Sequence, residues 1–153
     1  MQDEQLAPYR DLLTPELRTA DLKRVLELLM EENFAERGCL WLEERHELIY
    51  IGDETLRLEF PFSRRVVDSV LDRGRGFVSY DSSTDARLDP KGSVMVNNVR
   101  SCLCTAARSA VGGLLAIAYF DNRASVGNFT EKDLAYLNQV MSLFPGATPQ
   151  TGA

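Results

Sequence analysis

Residues 101–123 read SCLCTAARSAVGGLLAIAYFDNR. Two β-rich runs, residues 101–107 and 114–120, flank residues 108–113, which end in two adjacent glycines. That pattern predicts two strands joined by a hairpin connection, and so an antiparallel pair. Beyond the second run, Thr130 to Asp133 form a capping-box pattern in its Thr-x-x-Asp version. Leu134, Leu137, Val140, Met141 and Phe144 then follow at helical spacing.

Upstream of the hairpin, residues 94–99 form a short amphipathic piece, expected as a helical turn. Residues 81–93 have loop composition, and loops of that length inside a compact domain are often functional. Residues 76–80 read as a short strand. Before it, Ser63 can cap a helix carrying Val66, Val67, Val70 and Leu71, stopped by Gly74. Further back, residues 39–43, 47–51 and 56–60 read as strands, separated by the charged turn Glu43-Glu44-Arg45-His46 and by Gly52-Asp53-Glu54. An opening helix is expected from Thr14 as N-cap and Pro15 at the first helical position. Its apolar stripe is Leu22, Val25, Leu26, Leu29 and Met30, it closes at Phe34, and Gly38 is its stop signal. Leu17 and Leu28 fall off the centre of that stripe. Residues 1–13 read as a lead-in and 145–153 as a polar linker, leaving 14–144 as one domain. Hairpins dominate the strand connections, so the class is α+β with a mostly antiparallel sheet carrying helices.

The chain has 153 residues, 17 Lys and Arg against 23 Asp and Glu, and a net charge of −6. Direct nucleic-acid binding needs a basic footprint, which this balance opposes. The longest apolar run, residues 111–120 with two glycines, is far short of the roughly 20 residues a membrane span needs. Met1 to Pro8 carry acids and no apolar run, unlike a secretory leader, so a cytoplasmic location without membrane contact is expected. The three cysteines, Cys39, Cys102 and Cys104, are an odd number and form no disulfide framework. Cys102 and Cys104 stand two apart in a strand, roughly 6.5–7 Å between Cα atoms, at or beyond the edge of disulfide geometry. No phosphate-binding glycine loop or nucleophile-elbow motif is present. The single histidine, His46, lies in a charged turn with no nucleophile near it in sequence. No catalytic residue and no metal site is therefore expected.

Several segments together resemble a GAF domain. They are residues 63–74 (SRRVVDSVLDRG), Asp81 with Asp85-Ala86-Arg87, residues 99–104 (VRSCLC), 113–123 (GLLAIAYFDNR) and 129–134 (FTEKDL). The wording resembles GAF modules of bacterial signalling proteins: sensor kinases, cyclases and phosphodiesterases, and activators of the alternative sigma factor. The resemblance implies a central antiparallel sheet, with N- and C-terminal helices on one face and a ligand pocket on the other. It implies a non-enzymatic sensor of a small molecule and a homodimer through the terminal helices, with Leu17 and Leu28 as candidates for that face. The alternative is a structural dimerisation domain whose pocket has collapsed. The cofactor is left unknown, with none covalent expected: no Cys adjoins His46 as bilin attachment would require. The methionine-sulfoxide reductase members of the family use cysteine motifs that Cys102 and Cys104 do not reproduce.

Under that resemblance the pocket is lined by Trp41, Tyr50, Tyr80, Asp81, Arg87, Asn97, Asn98 and Arg100, aromatic bodies with a few polar groups. Arg100, beside a strand start, needs a carboxylate, a carbonyl or a ligand; Asp81 or Asp85 could serve. Asn122, Arg123, Phe129 and Asp133 resemble the NKFDE motif of cyclic-nucleotide binders, read here as a clasp in which Arg123 reaches Asp133. Arg replaces the family's Lys, and Leu134 replaces its final Glu. Ser63, Arg64 and Arg65 open a helix whose free N–H groups attract anions. Val66 and Val67 stand where cyclic-nucleotide binders have glycines, which counts against that ligand class.

Overall fold

A computed structural model of the chain describes residues 2–52, 64–79, 101–123 and 129–149. The helices are α1 (Gln2–Leu12), α2 (Thr19–Asn33), α3 (Arg64–Arg73) and α4 (Glu131–Met141). The strands are β1 (Arg37–Leu42), β2 (Glu47–Ile51), β3 (Phe77–Ser79), β4 (Ser101–Arg108) and β5 (Leu114–Asn122). They form one sheet in the order β2-β1-β5-β4-β3. Every neighbouring pair is antiparallel.

The two faces carry separate cores. On one, α2 contributes Leu22, Val25, Leu26 and Leu29, and α4 contributes Leu134, Leu137, Val140 and Met141. These pack on Leu40, Leu103, Ala118 and Phe120 of the sheet. On the other face α3 lays Val66, Val67 and Val70 over Cys104, Ala106, Phe77 and Tyr119. This is a GAF-like fold: an antiparallel sheet with the N- and C-terminal helices on one side and the opposite side left to α3 and the site described below.

Packing rather than capping holds α2. Its N-cap is Arg18, with no side-chain cap. A good cap contributes about 1 kcal/mol. Burying each of the four fully covered side chains Leu22, Val25, Leu26 and Leu29 contributes about 1.5–3 kcal/mol, several times as much together. The helix therefore starts later than the Thr14-Pro15 signal suggests. Pro15 and Glu16 make a turn closed by the Leu17 N–H on Thr14 O at 3.0 Å, and Leu17 sits at φ 45°. Leu17 and Leu28 are half-buried against the first core rather than exposed. At the other end Phe34, at φ 54°, ends the helix in the left-handed region. Gly38 is no stop signal; it lies within β1. A Cβ there would stand 2.7 Å from Phe120 Cδ1 and 3.2 Å from a Leu26 methyl, so the glycine lets α2 approach the sheet.

Among the described residues, those on either side of 14–144 also pack on the fold. Residues 1–13 hold α1, whose Leu6 and Tyr9, with Leu13 beyond its end, are buried in the first core. Tyr9 also donates to Glu32 Oε1 of α2 at 2.8 Å. In the tail, Phe144 is buried. The Thr148 N–H bonds Arg108 O at 2.9 Å, and Ala147 pairs with Ser109. The capping box of α4 is present, with Thr130 and Asp133 exchanging backbone bonds. Thr105 Oγ1 of β4 donates to Asn138 Oδ1 at 2.7 Å and pins α4 to the sheet.

Candidate functional site

Side chains of paired residues share a sheet face, so register alone assembles the α3 side of the sheet into rows. One row runs Arg37 (β1), Asp121 (β5), Cys102 (β4), Ser79 (β3). The next runs Tyr50 (β2), Cys39 (β1), Tyr119 (β5), Cys104 (β4), Phe77 (β3). The third, Leu48, Trp41, Ile117 and Ala106, is apolar. Polar and thiol groups are thus gathered at one end of the face. All three cysteines are free thiols, all are buried, and all lie on this side.

Asp121 is the hub of the first row. Arg37 Nε donates to its Oδ1 at 2.5 Å and Arg37 Nη2 to its Oδ2 at 2.8 Å. Tyr119 O–H donates to Oδ2 at 2.7 Å. The Arg37 and Asp121 side chains are only 4% and 0% exposed. A charge pair so deep costs several kcal/mol per ion to desolvate, and it persists only where donors satisfy it this fully. Burial pushes the Asp121 carboxyl up from its ordinary value of 3.8, while the Arg37 and Tyr119 bonds pull the other way. Burial works against the Arg37 charge as well, but the bonds to Asp121 outweigh it and raise that group above its ordinary value. Burial pushes the Tyr119 phenol well above 10.0, so Tyr119 remains a donor. It likewise pushes the Cys39 and Cys104 thiols well above 9.0, and both are neutral at neutral pH.

Ser79 closes the row differently. It is 1% exposed, and its hydroxyl oxygen has no hydrogen-bond partner. The neighbouring Ser101 hydroxyl bonds Ser79 O at 2.8 Å and leaves the Ser79 hydroxyl unmet.

Of the residues read from the sequence as pocket lining, Trp41 and Tyr50 are described. Trp41 is half-buried in the apolar row; its Nε1–H donates to Glu43 Oε1 at 2.8 Å, and its ring meets exposed His46 edge-on at 5.8 Å. Tyr50 is buried opposite Cys39. Tyr80, Asp81, Asp85, Arg87, Asn97, Asn98 and Arg100 lie outside the described residues, as does Ser63. Arg64 and Arg65 are in the first turn of α3. Asn122 holds both ends of the α2–β1 turn: its Oδ1 accepts from the Glu36 N–H at 2.5 Å and its Nδ2 donates to Phe34 O at 3.1 Å. The Arg123 N–H donates to Glu36 Oε1. Asp133 serves the capping box, and Phe129 is fully buried. Among the described residues no ion pair joins Arg123 to Asp133.

Sequence reading missed Arg37, Asp121, Tyr119 and Ser79 as a unit. Arg37 and Asp121 are 84 positions apart. The available signal was a charge at the margin of each of two apolar strands. Two clefts are lined by described residues. One of about 500 Å³ holds Arg73, Arg75 and Glu131. The other, of about 340 Å³, runs between Leu17, Leu42, Leu115 and Phe144. Neither includes the Arg37–Asp121 row. Among the described residues no cluster of His, Cys, Asp and Glu is suited to a metal, and no helix is long and apolar enough to cross a membrane.

No family model and no curated protein matches the chain. Solved structures do. Free methionine-R-sulfoxide reductase of Neisseria meningitidis, in complex with its substrate, superposes with a TM-score of 0.60 at 19% identity, over 94% of this chain and 81% of that one. The reduced form of the Staphylococcus aureus reductase gives a TM-score of 0.67 at 15% identity, over 94% and 92%. A putative GAF sensor protein of Burkholderia vietnamiensis gives 0.65 at 14% identity, over 95% and 87%. At these identities the likeness establishes the fold. It also corrects the expectation of a bacterial signalling module that acts as a non-enzymatic sensor. Redox enzymes carry this fold and match the chain as strongly as the sensor-type domains do, so the resemblance gives no ground for excluding an enzyme.

Proposed function

We propose that the α3 face binds a small polar molecule and acts on it by thiol redox chemistry, as a reductase of a small sulfoxide. The observation that carries this reading is the placement of three thiols on the same face as the buried Arg37–Asp121–Tyr119 network. The first substrate to try is free methionine sulfoxide, the class that two of the matching enzymes are named for.

Cys102 is the attacking thiol. It stands opposite Asp121, at a cross-strand separation of about 4.5–5.5 Å between Cβ atoms. Asp121 accepts three hydrogen bonds, and a carboxylate has about four acceptor positions, so one direction is left for the Cys102 proton. Attack of the Cys102 sulfur on the sulfoxide transfers the oxygen: thiol and sulfoxide become a Cys102 sulfenic acid and a sulfide. A second thiol then displaces water from the sulfenic acid and forms a disulfide. Cys104 is the nearer partner: residues two apart in a strand lie roughly 6.6 Å apart, at the long Cα limit for a disulfide, so the bond closes with a local movement of β4. Cys39 is separated from Cys104 by the whole of β5, roughly 9.6 Å, too far without movement of the sheet. A disulfide at the long limit is strained and easily reduced, which suits turnover by an external dithiol.

The test is methionine formation from free methionine sulfoxide with dithiothreitol as reductant. The wild type should form methionine, Cys102→Ser should form none, and Cys39→Ser should stay active. No methionine above the protein-free rate, or full activity in Cys102→Ser, would reject the reading. Pairing with a second copy through the terminal helices is part of the same proposal, and sedimentation equilibrium tests it.

A further inference from the structure

The hydroxyl of Ser79 is the one group in the polar row without a bond. Its neighbours show how consistently this chain meets its buried hydroxyls: Ser101 bonds Ser79 O, Thr105 bonds Asn138, and Tyr119 bonds Asp121. An unmet buried hydroxyl is costly, and native structures keep few of them. Ser79 pairs with Cys102 in the register of β3 and β4, and Phe77, two residues before it, packs in the α3-side core. Its side chain therefore shares the face, and the row, with the attacking thiol.

We propose that the Ser79 hydroxyl is the group that recognises the oxygen of the bound molecule, donating to it beside the Cys102 sulfur. The inference rests on the reading that this face takes a small sulfoxide, and it adds what distinguishes sulfoxide from sulfide. Two of the five Arg37 N–H donors are committed to Asp121, and the guanidinium serves first as the partner of that carboxylate. Tyr119 cannot play this part, because its single O–H is given to the same carboxylate. A sulfoxide oxygen is a strong acceptor, and a sulfide presents none of comparable strength at that place. Ser79 thus favours the oxidised molecule over the reduced product, and the product leaves because it cannot keep the bond.

The experiment compares wild type, Ser79→Ala and Ser79→Thr, with binding of methionine sulfoxide and of methionine measured by calorimetry alongside steady-state turnover. The wild type should bind the sulfoxide about tenfold more tightly than the sulfide, the worth of one hydrogen bond. Ser79→Ala should bind both equally, with KM for the sulfoxide raised about tenfold, and should melt no lower than the wild type because an unmet polar group has been removed. Ser79→Thr, which keeps the hydroxyl, should restore the preference. Turnover by the wild type with an unchanged preference in Ser79→Ala would overturn the role of Ser79 alone. Absence of both binding and turnover in the wild type would overturn the parent reading and this one together.

Discussion

Replacing Asp121 with Asn tests the buried network at its centre. The substitution keeps the volume and removes the charge. Arg37 is then left 4% exposed beside a neutral amide, with water unable to replace the lost partner. Three donors converge on the carboxylate, and the amide offers one oxygen in place of two and a donor of its own facing other donors. Breaking a buried pair from one side costs about 3–5 kcal/mol. That is a large share of the roughly 5–15 kcal/mol that holds a domain together. With a urea slope of about 2 kcal/mol per molar, the unfolding midpoint should fall by roughly 1.5–2.5 M. The double variant Arg37→Met with Asp121→Leu should recover most of the loss, since a well-packed apolar pair often equals or exceeds a buried ionic one. Chemical denaturation followed by circular dichroism reads both. A loss in the single variant below about 1 kcal/mol, the range of an exposed pair, would refute the account of the network. So would a double variant no more stable than the single one.

Gly38→Ala should destabilise the fold by about 1–3 kcal/mol, because its Cβ would meet the Phe120 ring at 2.7 Å and α2 would have to lift; an unchanged melting temperature would contradict that packing. Thr105→Val keeps the shape but leaves Asn138 Oδ1 without its donor, so a loss of about 1–3 kcal/mol in urea unfolding is expected. Burial pushes the Cys39 and Cys104 thiols above 9.0 and the Tyr119 phenol above 10.0, so the folded chain keeps protons that the unfolded chain gives up from those values upward. Their contribution to stability is intact below pH 9.0 and is lost as pH rises beyond it, so the urea midpoint should fall in that range, and a rising midpoint would contradict their burial as neutral groups.

Local signals were readable and long-range ones were not. The β4–β5 hairpin and the Thr130 capping box depend on residues a few positions apart, and both stand in the structure. Thr14-Pro15 is as strong a local signal, yet the chain turns there, because α2 gains more by seating Leu22 to Leu29 on the sheet than by starting at a good cap. Helix α1 hides in the sequence because Pro8, which reads as a helix breaker, sits inside it between Leu6 and Tyr9. Gly38 has one spelling and two physical uses, and only the approach of Phe120 and Leu26 decides between them. The polar row was out of reach for a further reason. Arg37, Asp121, Cys102 and Ser79 come from four strands, and the order β1-β5-β4-β3 is what aligns them. Function was misread at another level, because a fold hosts many activities and resemblance to sensors does not exclude an enzyme.

The most direct measurement takes the reduced protein, adds one equivalent of methionine sulfoxide with no other reductant, and maps the thiols by alkylation and mass spectrometry. Conversion of the sulfoxide to methionine, together with a Cys102–Cys104 disulfide and a free Cys39, is the predicted result. Three alkylatable thiols and an unchanged sulfoxide would contradict the assignment of redox chemistry to this face.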